Sequence, residues 1–167
     1  MASQSQALSG LSSLTLKHLA EEARHAHFFK RHAQTVAGRD LAYRPAEMIC
    51  GSHARLYMGR LDVQVARHNS GEAAYLFMSM IVEIRATWFY QIYGEELKQR
   101  GSSIKLTSLL AEETRHLDEI VARLTALNHG WAKRLPALEL QESALFSALL
   151  SAMENSVGAQ KPARKIS

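Results

Sequence analysis

Residues 73–93 read AAYLFMSMIVEIRATWFYQIY, and the stretch contains one carboxylate, Glu83. It is too apolar for a solvent-covered helix. Its longest uncharged run, Ala73–Val82, is about half the length a membrane span needs. Leu76, Met80, Glu83, Thr87 and Tyr90 recur at three- and four-residue steps, so on a helix they share one face. An isolated carboxylate there must be protonated, paired or bound to a metal, because burying it ionised and alone is expensive. A chain built around this segment needs helical neighbours that cover it and a polar answer to Glu83.

The rest of the sequence offers such neighbours. Gly38-Arg39-Asp40, Asn69-Ser70-Gly71, Gly101-Ser102-Ser103 and Asn128-His129-Gly130 are helix stop and start signals at wide intervals. They delimit helical segments over 11–37, 45–68, 71–99 and 103–127, with a fifth over Leu138–Asn155 after Pro136. No segment alternates with period two. In 103–127, Leu106, Leu110, Glu113, Leu117, Ile120, Leu124 and Leu127 form one stripe with a glutamate at its middle. In 11–37, Leu11, His18, Glu22, His25 and Phe29 share a face in the same way. Four such helices with short connections predict an all-α antiparallel four-helix bundle with an extra C-terminal helix. The expected organisation is one domain over 1–167, with a core at 11–127 and a solvated, disordered tail at 158–167.

The chain carries 20 Lys and Arg against 16 Asp and Glu, a net charge of +4. A mildly basic surface suits an acidic carrier protein or RNA, yet no arginine-rich run or aromatic nucleic-acid motif accompanies it. The one cysteine, Cys50, allows no internal disulfide and reads as a small buried residue in a reducing compartment. The start, MASQSQALSG, lacks the basic and apolar regions of a secretory signal, so a cytoplasmic protein is expected.

One phrase occurs twice. Ala20-Glu21-Glu22-x-Arg24-His25 returns as Ala111-Glu112-Glu113-x-Arg115-His116. Glu-x-x-His places a carboxylate and an imidazole one helical turn apart on the same side. Two such pairs facing each other, with a further carboxylate between them, form a ligand set suited to iron or manganese, and the absence of thiolates argues against structural zinc. The competing reading of a single copy is a solvated helix face. Glu21 and Glu112 are expected to face outward, each paired with the arginine three residues on.

The two E-E-x-R-H phrases, separated by a helix with a lone glutamate, resemble the ferritin-like di-iron carboxylate superfamily over about residues 11–127. The likeness is to its acyl-carrier-protein desaturase, tRNA hydroxylase and rubrerythrin-like branches. It implies that Glu22 and Glu113 bridge or chelate, that His25 and His116 each ligate one metal, and that Glu83 is the third carboxylate. The family also supplies a glutamate from a helix before the first E-x-x-H, and here too little chain precedes it. The segment 45–68 has no mid-helix glutamate, so Asp62 or His53 is the candidate sixth ligand, Asp62 alternatively accepting from a ligand imidazole.

The resemblance implies two iron ions, or manganese, activating O2 to hydroxylate or oxidise an apolar or carrier-bound substrate in a cavity lined by Met80, Thr87, Tyr90 and Tyr57. A homodimer would complete the missing ligand helix. Iron or peroxide handling of the rubrerythrin kind is the alternative, although no Cys-x-x-Cys module is present. A metal-free binding bundle, its carboxylates neutralised by Arg85, Arg55 or Arg60, is the third.

Overall fold

The structure is a computed structural model that describes residues 12–42, 44, 47–127 and 130–159. Five helices account for most of these residues, with no strand among them: α1 Ser13–Ala37, α2 Gly51–Ala66, α3 Gly71–Gln99, α4 Thr107–Ala126 and α5 Trp131–Ala159. The predicted tail over 160–167 lies outside the described residues. Gly158 and Ala159, expected in that tail, are the end of α5.

Local chemistry sets most of the boundaries. Ser12 caps α1, its hydroxyl accepting from the Thr15 amide at 3.2 Å. Gly38 ends the helix at φ 64°, a left-handed conformation in which a Cβ would be strained. Helix starts differ from the sequence reading at α4, which begins at Thr107 rather than 103, and more widely at α2 and α5. α2 begins at Gly51 rather than near 45, because Cys50 before it takes a left-handed φ of 54° that no helix interior allows. α5 begins at Trp131, so Pro136 lies inside it instead of before it. A proline there removes one backbone bond and strains its turn. Tertiary anchors on the first two turns outweigh this: Trp131 donates its indole N–H to Thr125 at 3.1 Å, and Arg134 donates to the His68 carbonyl at 2.9 Å.

Side-chain pairs give the directions. Arg24–Glu112, Arg115–Glu21 and Lys17–Glu119 run in opposite order along α1 and α4, so these helices are antiparallel. Glu72–Arg123 and Glu83–His116 make α3 antiparallel to α4. Cys50–Ser156 at one end and His68–Arg134 at the other make α2 antiparallel to α5.

The apolar core is shared by α2 through α5. Leu61, Val65, Leu76, Phe77 and Leu124 are completely shielded from solvent, and Leu138 of α5 packs with them. α5 is therefore part of the core, not an appendage to a core at 11–127. Burial of apolar area at about 25 cal/mol per Å2 makes this the main adhesive of the fold. A second, polar connection ties α5 in. Arg85 of α3 donates through Nε to Glu142 of α5 at 2.8 Å, and Tyr57 of α2 donates to the same carboxylate at 2.7 Å. The guanidinium carbon also lies 4.2 Å from the centre of the Phe146 ring.

α1 is different. Only Thr15 and His25 of its 25 residues are buried, and Leu14 and Leu16 are about half exposed. It is held to α3 and α4 by charged and aromatic side chains far more than by aliphatic packing.

Candidate metal centre

The face of α1 that meets α3 and α4 carries His18, Glu22 and His25 at successive turns. α3 brings Glu83 to the same level and α4 brings Glu113 and His116. Glu113, Glu83, His116 and His25 are all at most 3% exposed, whereas the Glu22 side chain is 38% exposed.

These six side chains converge in two overlapping groups. Ligand atoms of His18, Glu22, Glu83 and His116 lie within 4.8 Å of one another, and so do those of Glu22, His25 and Glu113. Glu22 belongs to both. Its Oε1 stands 3.3 Å from His25 Nδ1, 3.7 Å from His116 Nδ1 and 3.8 Å from His18 Nε2. Glu113 also reaches both sides, with Oε1 at 3.2 Å from His25 Nδ1 and Oε2 at 3.1 Å from His116 Nδ1. His18 Nε2 lies 2.7 Å from Glu83 Oε1.

The imidazoles are oriented from behind by the other glutamate of each phrase. His25 Nε2 pairs with Glu112 at 2.7 Å, and Arg24 donates to that same carboxylate at 2.6 Å. Reciprocally, His116 Nε2 pairs with Glu21 at 2.8 Å, and Arg115 donates to Glu21 at 3.0 Å. Each Glu-Arg couple therefore crosses between α1 and α4. This corrects the expectation that Glu21 and Glu112 face outward onto the arginines of their own helices. An arginine three residues on satisfies both geometries, and packing of the two helices selects the crossed one. With Nε2–H donating to a carboxylate, each Nδ1 turns its lone pair toward the cluster.

Three atoms in the middle are buried with no hydrogen-bond partner: Glu22 Oε1, His25 Nδ1 and Glu113 Oε1. Acceptors facing acceptors in a dry site repel, so the arrangement calls for a cation or protons. The spacing fits a divalent cation. Donors adjacent on one ion stand about 3 Å apart when each bond is about 2.1 Å long, close to the 3.1–3.3 Å found for Glu22, His25, Glu113 and His116. Three carboxylates and three imidazoles without a thiolate are the donor chemistry of iron and manganese.

Without a cation the cluster redistributes protons. Burial, reinforced by the charges of Glu83 and Glu22, pushes Glu113 up to about 7. Burial would depress His116, but its hydrogen bonds to Glu113, Glu83 and Glu21 prevail and raise it to about 10. Burial likewise opposes ionisation of Glu83, yet His116 and His18 bring it down to about 2. Glu22 is raised by burial and by the charge of Glu83.

The remaining candidates lie elsewhere. His53 is exposed on the first turn of α2, and Asp62 is buried on the same helix; neither belongs to either group. α2 packs on the far flank of α3 against α5, out of reach of the cluster. The sixth ligand-type side chain is instead His18, whose only sequence signal is its place one turn before Glu22. Tyr57 is engaged with Glu142 away from the cluster, and Met80 is 1% exposed inside the apolar core, so neither lines a cavity at the site. Arg85 pairs with Glu142, and Arg55 and Arg60 are exposed on α2, so none of the three neutralises the carboxylates. Thr87, one turn beyond Glu83, holds a buried hydroxyl without a partner among the described residues. Tyr90 is close enough that Glu113, Glu22 and Glu83, added to burial, raise its phenol well above the usual range.

Comparisons with protein-family models, with curated proteins and with solved structures found no match for this chain.

Proposed function

We propose that the protein is a metal-binding helical protein of the ferritin-like di-iron type, holding two iron or manganese ions and using O2 to oxidise an organic substrate. The observation that carries the reading is the trio of buried, partnerless acceptors, Glu22 Oε1, His25 Nδ1 and Glu113 Oε1, set between two inward-facing Glu-x-x-His pairs. In this reading Glu22, His25 and Glu113 would hold one ion, and His18, Glu22, Glu83 and His116 would hold the other. The fold assignment rests on the antiparallel α1–α4 and α3–α4 pairs that present those side chains inward.

Two redox-active ions there would supply the electrons and the Lewis acidity for dioxygen reduction. The chain's own residues set the conditions. Glu112 and Glu21 orient the imidazoles; Glu112 is held below its ordinary value by its hydrogen bond to His25 and then by Arg24, and Glu21, against its burial, by His116 and then by Arg115. Glu83 and Glu113 sit in a site dry enough to exclude bulk water. The 38% exposed Glu22 leaves one side accessible. A homodimer and an acidic carrier or other acidic partner belong to the same proposal, in keeping with the net charge of +4.

The test combines elemental analysis of protein expressed with iron and substrate-dependent O2 uptake. Wild type should hold about two ions per chain, and Glu113→Ala should hold none while its metal-free form still folds. Iron in Glu113→Ala and His25→Ala at the wild-type level would sink the reading. Metal without substrate-dependent O2 consumption would favour iron or peroxide handling instead.

A further inference from the structure

On the flank of α3 away from the cluster, an open groove of about 480 Å3 runs along the outer face of α2 beside α5. Leu56 and Val63, both about half exposed, form its apolar floor with Leu145 of α5. Arg55, Arg60 and Arg67 rim it. Among the described residues none of the three meets a carboxylate. Arg67 donates to Gln64 of its own helix at 3.3 Å, and the other two guanidinium groups have no partner. The one acid of α2, Asp62, is buried. On α5, Glu142 is taken by Arg85 and Tyr57. Glu139 and Glu154 stand about 120° and 180° round that helix from Leu145. The groove also holds a glycine that the fold does not use. Gly59 lies mid-helix between Leu56 and Val63, and a Cβ there would meet nothing within 4 Å. Glycine in a helix interior costs stability relative to alanine, and its gain is the close approach of another backbone.

We propose that this groove docks one amphipathic helix of a partner protein, apolar toward Leu56, Gly59 and Val63 and acidic along its edges. Arg60 and Arg67 are two turns apart, so they call for partner acids at the same spacing. Other occupants answer only part of the lining. A second copy of this face would set arginine against arginine. The exposed Glu72, Glu96 and Glu119 of such a copy are already paired with its own Arg123, Arg100 and Arg115. A nucleic-acid backbone matches the arginines but leaves Leu56 and Val63 without a use, and no aromatic ring in the groove offers a base a stacking surface. A bilayer matches charge and apolarity but is flat, whereas the site is concave. Docking here is remote from the cluster, so the partner presents no substrate to it, and the inference does not depend on metal.

Selection from a displayed library of helical peptides of about 18 residues, five turns, tests this with the full chain as bait. Recovered peptides should be apolar at three- and four-residue steps, carry net negative charge, and bind equally with and without added manganese. Affinity should fall at least about tenfold when Arg60→Glu and Arg67→Glu are combined, because like charges then meet. Gly59→Leu should abolish binding yet melt no lower than wild type, leucine being the better helix former. Peptides recovered without acidic residues, unchanged binding in Gly59→Leu, or a library that yields no binder would overturn the proposal. Phosphatidylserine vesicles or duplex RNA binding more tightly than any recovered peptide, and released by the paired arginine substitutions, would overturn the helical occupant. A chain that binds peptide but no metal refutes the metal reading and leaves this inference standing; one that binds metal but no peptide does the reverse.

Discussion

Glu112 and Glu21 show how little of a residue's role its neighbours in sequence reveal. The duplicated E-E-x-R-H phrase makes Glu22, Glu113, His25 and His116 legible, because each stands in an apolar stripe where a charge needs a reason. Position within the stripe says nothing about Glu21 and Glu112, one residue off it, since their partners come from the opposite helix. Their contacts predict a positioning role. Glu112→Gln keeps the size and loses the charge that anchors His25 and Arg24; it should weaken metal binding by about 10–100-fold, as should Glu21→Gln through His116. Manganese titration of the two variants, with their metal-free melting curves as a control, checks this. Equal losses in melting and in affinity would indicate damage to the fold instead. A second prediction follows from the proton balance of the metal-free cluster. Glu113 is raised to about 7 and His116 to about 10. For both groups the folded chain holds the proton more tightly than the unfolded one, so each stabilises at low pH and loses that contribution as pH rises. Glu113 loses it between its ordinary value of 4.5 and about 7, and His116 between 6.5 and about 10. Glu83, lowered to about 2, acts in the opposite sense but only below 4.5. Metal-free protein should therefore be less stable at pH 9 than at pH 6 by urea denaturation, and Glu113→Gln should flatten the acid half of that slope.

Among the elements, α1 and α5 depart furthest from expectation, for opposite reasons. The α5 start is hidden because Pro136 reads locally as a boundary, while the bonds that anchor the helix before it reach back to the end of α4, from Trp131, and to the far end of α2, from Arg134. The stripe in 11–37 marks the correct face of α1 but not how thinly that face is covered. With two buried residues in 25, α1 depends on the cluster and on crossed ion pairs such as Arg24–Glu112. Exposed pairs of this type contribute at most about 1 kcal/mol each and weaken in salt. Hydrogen exchange of metal-free protein should accordingly show α1 amides opening well before those of residues 73–81 in α3, the more so at high salt. Manganese should slow exchange in α1 selectively. Uniform protection across both helices, with or without metal, would contradict this division.

Across the whole molecule, α2 to α5 share the apolar core, and α1 closes the polar site against α3 and α4. None of the helices is long and apolar enough to cross a membrane among the described residues. That division explains why replacing a cluster residue should spare the fold while metal binding still adds to its stability. At a free-metal concentration 100 times Kd, the gain is about 2.7 kcal/mol. For a chain of this size it corresponds to a rise in Tm of roughly 5–10 °C, measurable by calorimetry and absent in Glu113→Ala. The helical class was readable from the three- and four-residue repeats in 11–37, 73–93 and 103–127 and from the lack of any period-two segment. Which helices surround the site was not, because the sequence places α2 beside it by elimination while packing sends α2 to α5.

Glu22 is unlike its companions: its side chain is the most exposed of the six, and it alone belongs to both groups of ligand atoms. If the site holds two cations, this one carboxylate is both their shared wall and their door. An ion entering past this most exposed side chain would meet Glu22 before the buried donors, and one leaving would part from it last. Loading would be sequential, with its speed set by the swing of one side chain rather than by breathing of the helices. A shorter carboxylate at this position, Glu22→Asp, would then alter how fast metal exchanges more than how tightly it is held.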